Sequence, residues 1–270
     1  MRCAVLGDPI AHSLSPVLHR AGYAAAGLDW EYDAVRVPED DFTDFVRGLD
    51  AGWRGLSLTM PLKRRALGLA GSVTARAALA GAANTLVLDG GAVVLADNTD
   101  LPGAAAAVRE RYAGPVRTAT VLGGGATAAS TGLAMCELGA TSVRLLVRAP
   151  ERAAEAAAAI AAHPSGPDVD VGSLAEVDVV GDVVVSTVPA AAQDADLVAR
   201  CAGAPVVFEV VYDPWPTPLA AAATGILVSG LDLLVHQAVL QFELFTGLPG
   251  PLEAMRAAGV EALAARRAAG

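Results

Sequence analysis

Apolar positions along this chain follow two alternating rhythms. Short, nearly continuous apolar runs, such as CAVLG from Cys3, VRLLV up to Val147 and DVVVST from Asp182, are separated by longer segments with helical spacing. Apolar strands joined through helices are the signature of parallel α/β architecture with crossover connections. In the first hundred residues the pattern predicts strands at 2–6, 31–37, 54–58 and 84–88. Helices are expected at 16–26, 39–49 and near 62–69, with a turn at Met60-Pro61. Beyond that it predicts helices at 102–111, 126–138, 150–162 and 194–201, and strands at 118–122, 142–147, 183–187, 205–210 and 226–229. The stretch LDLLVHQAVLQFELFTG from Leu231 is apolar on most faces and predicts a buried helix that packs back against the first half.

The chain has 270 residues, 54% of them hydrophobic, enough to bury two cores side by side. The expected division is a domain at 1–100, completed by 231–270, and a second at 101–230, with binding in a cleft between them. A net charge of -10, from 29 acidic and 19 basic residues, argues against nucleic acid or an anionic membrane surface as partner and favours a small molecule. Cys3, Cys136 and Cys201 form neither a disulfide framework nor a thiolate metal site, and the four histidines show no ligand spacing, so no metal is expected. The opening MRCAVLGDPIAHS lacks the apolar stretch of a signal peptide, and a cytoplasmic location is expected.

Candidate chemistry concentrates first at 118–148. A β-rich run ends at Gly123 and a helix opens after Gly125, the order a Rossmann unit requires. Gly123, Gly125 and Ala128 satisfy G-x-G-x-x-A: a tight turn, a close approach of backbone to pyrophosphate, and close packing of helix on strand. The helix start offers free N–H groups to phosphates. The next strand ends not on the usual acidic residue but on Arg148, with Arg152 one turn later. Two guanidinium groups suit a 2′-phosphate, which favours NADP over NAD, although arginines at a helix start are often merely solvated.

In the first half, His12-Ser13-Leu14-Ser15-Pro16 places two hydroxyls beside a helix start, suited to holding a carboxylate; Ser15 as a helix cap is the plainer alternative. Ser57-Leu58-Thr59-Met60-Pro61-Leu62-Lys63 brings a strand into a proline turn carrying a lysine. Asn84-Thr85 and Asp97-Asn98-Thr99-Asp100 sit at expected strand ends, where turn chemistry alone also favours such residues.

Taken in order, SLSP, SLTMPLK, ANT, DNTD, the glycine loop, VRAPER, VVYDPWPTPL and VHQA resemble the shikimate dehydrogenase family from Ser13 to Gly247. The resemblance implies a two-domain α/β fold: an N-terminal substrate domain with a mostly parallel sheet, a Rossmann-type NADP-binding domain, and C-terminal helices packing back on the first. It implies reversible NADP-dependent reduction of 3-dehydroshikimate to shikimate, in aromatic amino-acid biosynthesis. It also implies Lys63 and Asp100 as the catalytic pair, with Ser13, Ser15, Thr59, Asn84, Tyr212 and Gln237 binding substrate. Gly123, Gly124, Gly125, Ala126, Thr127, Arg148, Arg152, Thr187, Val210 and Gly230 would bind NADP. The chain departs from the family at Ser57, where N-V-T-x-P-x-K has Asn, at G-G-G-A-T-A in place of G-A-G-G-A-x, and at Val147-Arg148-Ala149 in place of N-R-T. A quinate/shikimate dehydrogenase using NAD and a non-catalytic NADP- or shikimate-binding sensor are the alternatives, and a homodimer is left open.

Lys63 would protonate and stabilise the developing alkoxide, and Asp100 would orient it and bond a substrate hydroxyl. A carboxylate beside the lysine favours its charged form and desolvation opposes it, so the two are expected to titrate as a pair.

Overall fold

The computed structural model describes residues 1–175 and 177–269, and its chain divides into two compact units: Met1–Thr99 with Leu234–Gly270, and Asp100–Leu233. The first stretch runs β1 (Arg2–Gly7), α1 (Ser15–Ala25), β2 (Glu31–Arg36), α2 (Phe42–Arg47), β3 (Trp53–Leu58), β4 (Ser72–Val73), α3 (Ala75–Ala80), β5 (Thr85–Asp89) and β6 (Ala92–Asp97). Its sheet has the order β2-β1-β3-β5-β6-β4. The pairs β2-β1, β1-β3 and β6-β4 are parallel, whereas β3-β5 and β5-β6 are antiparallel. The last reversal is local: Gly90 and Gly91, with φ of 58° and 85°, take the positive-φ conformation that a tight hairpin demands. Leu6, Leu56, Leu58, Leu86 and Phe42 fill the core of this unit.

The second stretch runs α4 (Asp100–Arg111), β7 (Thr118–Leu122), α5 (Ala126–Glu137), β8 (Ser142–Val147), α6 (Ala154–Ala161), β9 (Asp168–Ser173), β10 (Val183–Ser186), α7 (Ala195–Cys201), β11 (Val206–Glu209), α8 (Pro218–Ala222) and β12 (Ile226–Ser229). The sheet order is β12-β11-β10-β7-β8-β9, with every neighbouring pair parallel. Counted from β9, its strands run third, second, first, fourth, fifth, sixth, the doubly wound order of a Rossmann fold. The order reverses between β7 and β10.

The chain ends with α9 (Gly230–Thr246) and α10 (Leu252–Ala269). As the apolar pattern anticipates, α9 packs on the first unit. A Cβ at Gly55 would run into the Phe245 ring, so β3 keeps a glycine where the helix lies against it. Phe242 and Met255 pack closely on Gly22 of α1, where a Cβ would stand 3.1 and 3.3 Å from them.

Several elements differ from expectation. The helix predicted near 62–69 is an irregular turn followed by one 3-10 turn, Arg65–Leu69. The Lys63 carbonyl is taken by the Ala83 N–H at 2.8 Å and is lost to helical bonding. The helix predicted over 150–162 begins as a 3-10 turn, Pro150–Ala153, and becomes α-helical only from Ala154. Strands β4, β6 and β9 and helices α3, α8 and α10 were not among the predicted elements.

Candidate active site

Of the first-half candidates, Asn84 is the most heavily engaged. It stands just before β5 and is buried, and its backbone ties three strand ends: its N–H donates to the Asp97 carbonyl at 3.0 Å and its carbonyl accepts the Leu58 N–H at 2.7 Å. The side-chain Nδ2 donates to Thr99 Oγ1 at 3.0 Å and Gln237 Oε1 at 3.2 Å, while Oδ1 accepts from the Thr99 N–H and the Thr85 hydroxyl, both at 2.8 Å. Lys63 is drawn to the same place through its backbone, because Ala83 immediately precedes Asn84. Thr59 is fixed at the mouth of β3 by its N–H to the Leu6 carbonyl at 2.9 Å, and a Cβ on Gly7 would strike its methyl group. The structure therefore brings Thr59, Lys63, Asn84 and Gln237 around one end of the sheet.

Ser13 and Ser15 divide their roles. Ser13 Oγ accepts the Ser15 N–H at 3.3 Å, whereas the residue that caps α1 is Leu14, without a side-chain bond. Ser15 is thus not the cap, and its side chain is buried beside Tyr32. Tyr32 Oη in turn donates to Ser57 Oγ at 2.5 Å, and Ser57 Oγ donates to Gln241 Oε1 at 2.7 Å. Gln241 Nε2 closes the network on the Asn84 carbonyl at 3.0 Å and Thr85 Oγ1 at 2.9 Å. Ser57, standing where relatives carry Asn, thus has a defined task between Tyr32 and Gln241. Gln241 and Tyr32 were missed from the sequence. The spacing Gln237-x-x-x-Gln241 held the signal, since residues four apart share a helix face.

Behind this cluster, Asp97 is buried and receives a two-pronged hydrogen bond from Arg76, one from the Thr74 hydroxyl and one from the Asn98 N–H. Burial pushes the Asp97 carboxyl up, but Arg76 and Thr74 outweigh it and hold the group below the usual carboxylate range. The ion pair anchors Asn98-Thr99 at the end of β6.

In the second unit Asp100 is the first residue of α4 and buried. Gly123 leaves β7 with φ of 119°, a conformation that only glycine adopts readily, and a Cβ there would collide with Thr187 Oγ1. Thr187 itself donates from Oγ1 and N–H to the Leu122 carbonyl, at 2.8 and 2.9 Å. Gly123 and Thr187 therefore meet where the strand order reverses, the crevice in which such sheets bind ligands. Gly125 caps α5 without a side-chain bond, no acidic residue occupies the first turn, and a Cβ on Gly125 would meet nothing within 4 Å. Open space before a helix start with free N–H groups, including those of Ala126 and Thr127, is a cradle for phosphate. Ala128 is fully buried behind it. Arg148 directly follows β8 and Arg152 closes the next 3-10 turn. Both are exposed, and among the described residues neither has a carboxylate partner. These residues fit a dinucleotide carrying a 2′-phosphate. Val210 donates its N–H to the Ser186 carbonyl at 3.0 Å, and a Cβ on Gly230 would collide with the Val210 carbonyl. Among the described residues no group of His, Cys, Asp and Glu side chains is placed to hold a metal ion, and no helix is long and apolar enough to cross a membrane.

An all-parallel doubly wound sheet with a glycine turn and an uncapped helix start, joined in one chain to a mixed-sheet unit lined with amides and hydroxyls, defines a dinucleotide-dependent α/β oxidoreductase. Residues 5–86 match the model of the shikimate dehydrogenase substrate binding domain, and residues 230–258 match that of the shikimate 5'-dehydrogenase C-terminal domain. The NADP(+) shikimate dehydrogenase of Desulfitobacterium hafniense is 32% identical over 97% of this chain and 98% of its own. The crystal structure of Mycobacterium tuberculosis shikimate dehydrogenase is 40% identical, covers 96% of this chain and 99% of its own, and superposes with a TM-score of 0.87. That of the Thermus thermophilus enzyme in complex with NADP(H) and shikimate is 28% identical over 97% of this chain and 99% of its own, with a TM-score of 0.82. The chain belongs to the shikimate dehydrogenase family.

Proposed function

We propose that this protein catalyses the reversible NADP-dependent reduction of 3-dehydroshikimate to shikimate, a step of aromatic amino-acid biosynthesis. The observation that carries this reading is the Asn84 cluster. A polyhydroxylated ring acid needs a dense array of fixed amide and hydroxyl groups; Asn84 and Gln237 supply amides whose orientations are already set by hydrogen bonds, and Thr59 adds a hydroxyl on a backbone tied to Leu6. Ser13 and Ser15, at the start of α1, receive the carboxylate. Tyr212 binds the ring, and Lys63 and Asp100 carry the proton chemistry. The Lys63 ammonium stabilises and protonates the oxygen that becomes an alkoxide, and the Asp100 carboxylate accepts a hydrogen bond from a ring hydroxyl.

When bound, NADPH would supply the hydride. Gly123 to Thr127 would hold its pyrophosphate, Arg148 and Arg152 its 2′-phosphate, and Thr187, Val210 and Gly230 would serve the nicotinamide end. We place the enzyme in the cytoplasm, where its three free, buried thiols stay reduced. A homodimer is the assembly left open by the sequence, and light scattering of the purified protein checks it directly.

Steady-state rates with shikimate and quinate, each with NADP and with NAD, test the reading. Shikimate with NADP should be fastest, and Lys63→Ala should lower kcat by roughly two to four decades with little change in KM. Absence of shikimate oxidation would overturn the assignment. An unaltered kcat in the Lys63 variant would remove that residue from the chemistry.

A further inference from the structure

Strand β11 is apolar until its last residue, which is a fully buried glutamate: Val206, Val207, Phe208 and Glu209 are all 0% exposed. A carboxylate withdrawn from water inside a sheet is retained only if its oxygens are fully hydrogen-bonded. Oε1 of Glu209 accepts the Val211 N–H at 3.0 Å, and Oε2 accepts Gln193 Nε2 at 2.6 Å and Thr217 Oγ1 at 3.0 Å. Val211 and Thr217 stand near the two ends of the segment 210–217, which leaves β11 and enters α8. Thr217 also caps α8 by accepting the Ala220 N–H at 3.1 Å, and Gln193 Oε1 accepts the Leu219 N–H at 3.0 Å. One carboxylate thus fastens the departure and the return of a segment that carries Tyr212 ahead of its two prolines, Pro214 and Pro216. The same segment begins with Val210, whose carbonyl lies against Gly230 too closely for any side chain there. Burial pushes the Glu209 carboxyl up and its donors oppose that shift.

We propose that Glu209 is a positioning residue for the reaction, holding the 210–217 segment so that Tyr212 and the Val210 peptide take the places that substrate and nicotinamide require. The inference rests on the assignment of Tyr212 to the substrate made above. A residue that merely stabilises the fold would lower the melting temperature and the active fraction, leaving KM alone. A positioning residue changes KM in fully folded protein.

Glu209→Gln keeps the size of the side chain but turns an amide N–H toward a donor, so one end of the fastening must open. In protein shown to be folded by circular dichroism, KM for shikimate should rise about tenfold, equivalent to a loss of one order of magnitude in ground-state affinity. Binding of 2′,5′-ADP, which probes the glycine loop and arginines only, should stay at the wild-type value. Thr217→Val, which releases the far end of the segment alone, should show the same effect more weakly, and Thr217→Ser should restore the wild-type KM. The double variant should lose less than the product of the two single effects, because both open one fastening. An unaltered KM in folded Glu209→Gln, or in Thr217→Val should the first fail to fold, overturns the proposal. Tyr212→Phe separates the two layers: no change in its KM removes the underlying assignment, whereas a raised KM there beside a normal Glu209→Gln sinks only the positioning role.

Discussion

Arg148 follows the last residue of β8, at the position where an acidic side chain would otherwise meet the adenosine ribose. Its guanidinium is exposed and lacks a carboxylate partner among the described residues, so its charge is available to a ligand. A 2′-phosphate would gain a charge-assisted hydrogen bond, which contributes about 1.5–3 kcal/mol, whereas a bare 2′-hydroxyl would gain far less. Arg148→Ala should therefore raise KM for NADPH by roughly tenfold to a hundredfold and leave KM for NADH nearly unchanged. Equal losses with both cofactors would move phosphate recognition elsewhere. Ala149, where relatives carry threonine, leaves the guanidinium pair of Arg148 and Arg152 to carry that discrimination.

The strand–loop–helix unit makes its own prediction, because its adjacent glycines do different things. At Gly124 a Cβ would stand 2.9 Å from Ala153 Cα and 3.1 Å from the Arg152 carbonyl, both backbone, so Gly124→Ala must push the Arg152 turn away. It should destabilise by about 1–3 kcal/mol, as overpacking does. At Gly125 a Cβ meets nothing, and φ is -87°, so Gly125→Ala should leave the melting temperature unchanged and weaken NADP binding by filling the phosphate cradle. If both variants keep wild-type cofactor affinity, this loop is not the phosphate site. The unit was legible in the sequence because everything that defines it is local: β7, β8 and the start of α5 were read with the limits the structure gives them. What escaped is non-local or lacks a strong period. Strand β6 lies behind the pair Gly90-Gly91, itself a hairpin signal between two apolar runs, and β9, with the alternating sequence DVDVGS, has one wet face at the sheet edge. The Tyr32–Ser57–Gln241 chain joins residues 25 and 184 positions apart, which no spacing rule reports. Glu209 was visible only as a lone charge in an apolar run, and its partners Gln193 and Thr217 are defined by the sheet.

At the scale of the whole molecule, the first unit carries a titratable group that water reaches only when the fold opens. His19 of α1 is fully buried and stacked on Tyr32, with ring centroids 4.1 Å apart, and Phe245 of α9 lies 5.9 Å away. The Gln241 amide beside it is committed to Ser57, Asn84 and Thr85, and among the described residues neither ring nitrogen has a hydrogen-bond partner. Burial holds its pKa down at about 3, against 6.5 for the ordinary group. Between these values the unfolded chain binds a proton that the folded chain refuses. Stability is therefore complete above pH 6.5 and falls as pH drops toward 3, by about 1.4 kcal/mol per pH unit inside that window. The paired carboxylates of Asp97 and Asp232, held low by Arg76 and Arg111 against the effect of burial, weaken the fold only further down, below the ordinary carboxylate range. Glu209, raised by burial, acts with the opposite sign but is common to wild type and variant. His19→Leu should accordingly flatten the dependence of the urea midpoint on pH between 6.5 and 4.5 while leaving the steeper loss below it. Parallel curves for the two proteins would show that the ring is solvated before the fold opens, and that the layer of α1, β2 and α9 around it is not the cooperative core its packing describes.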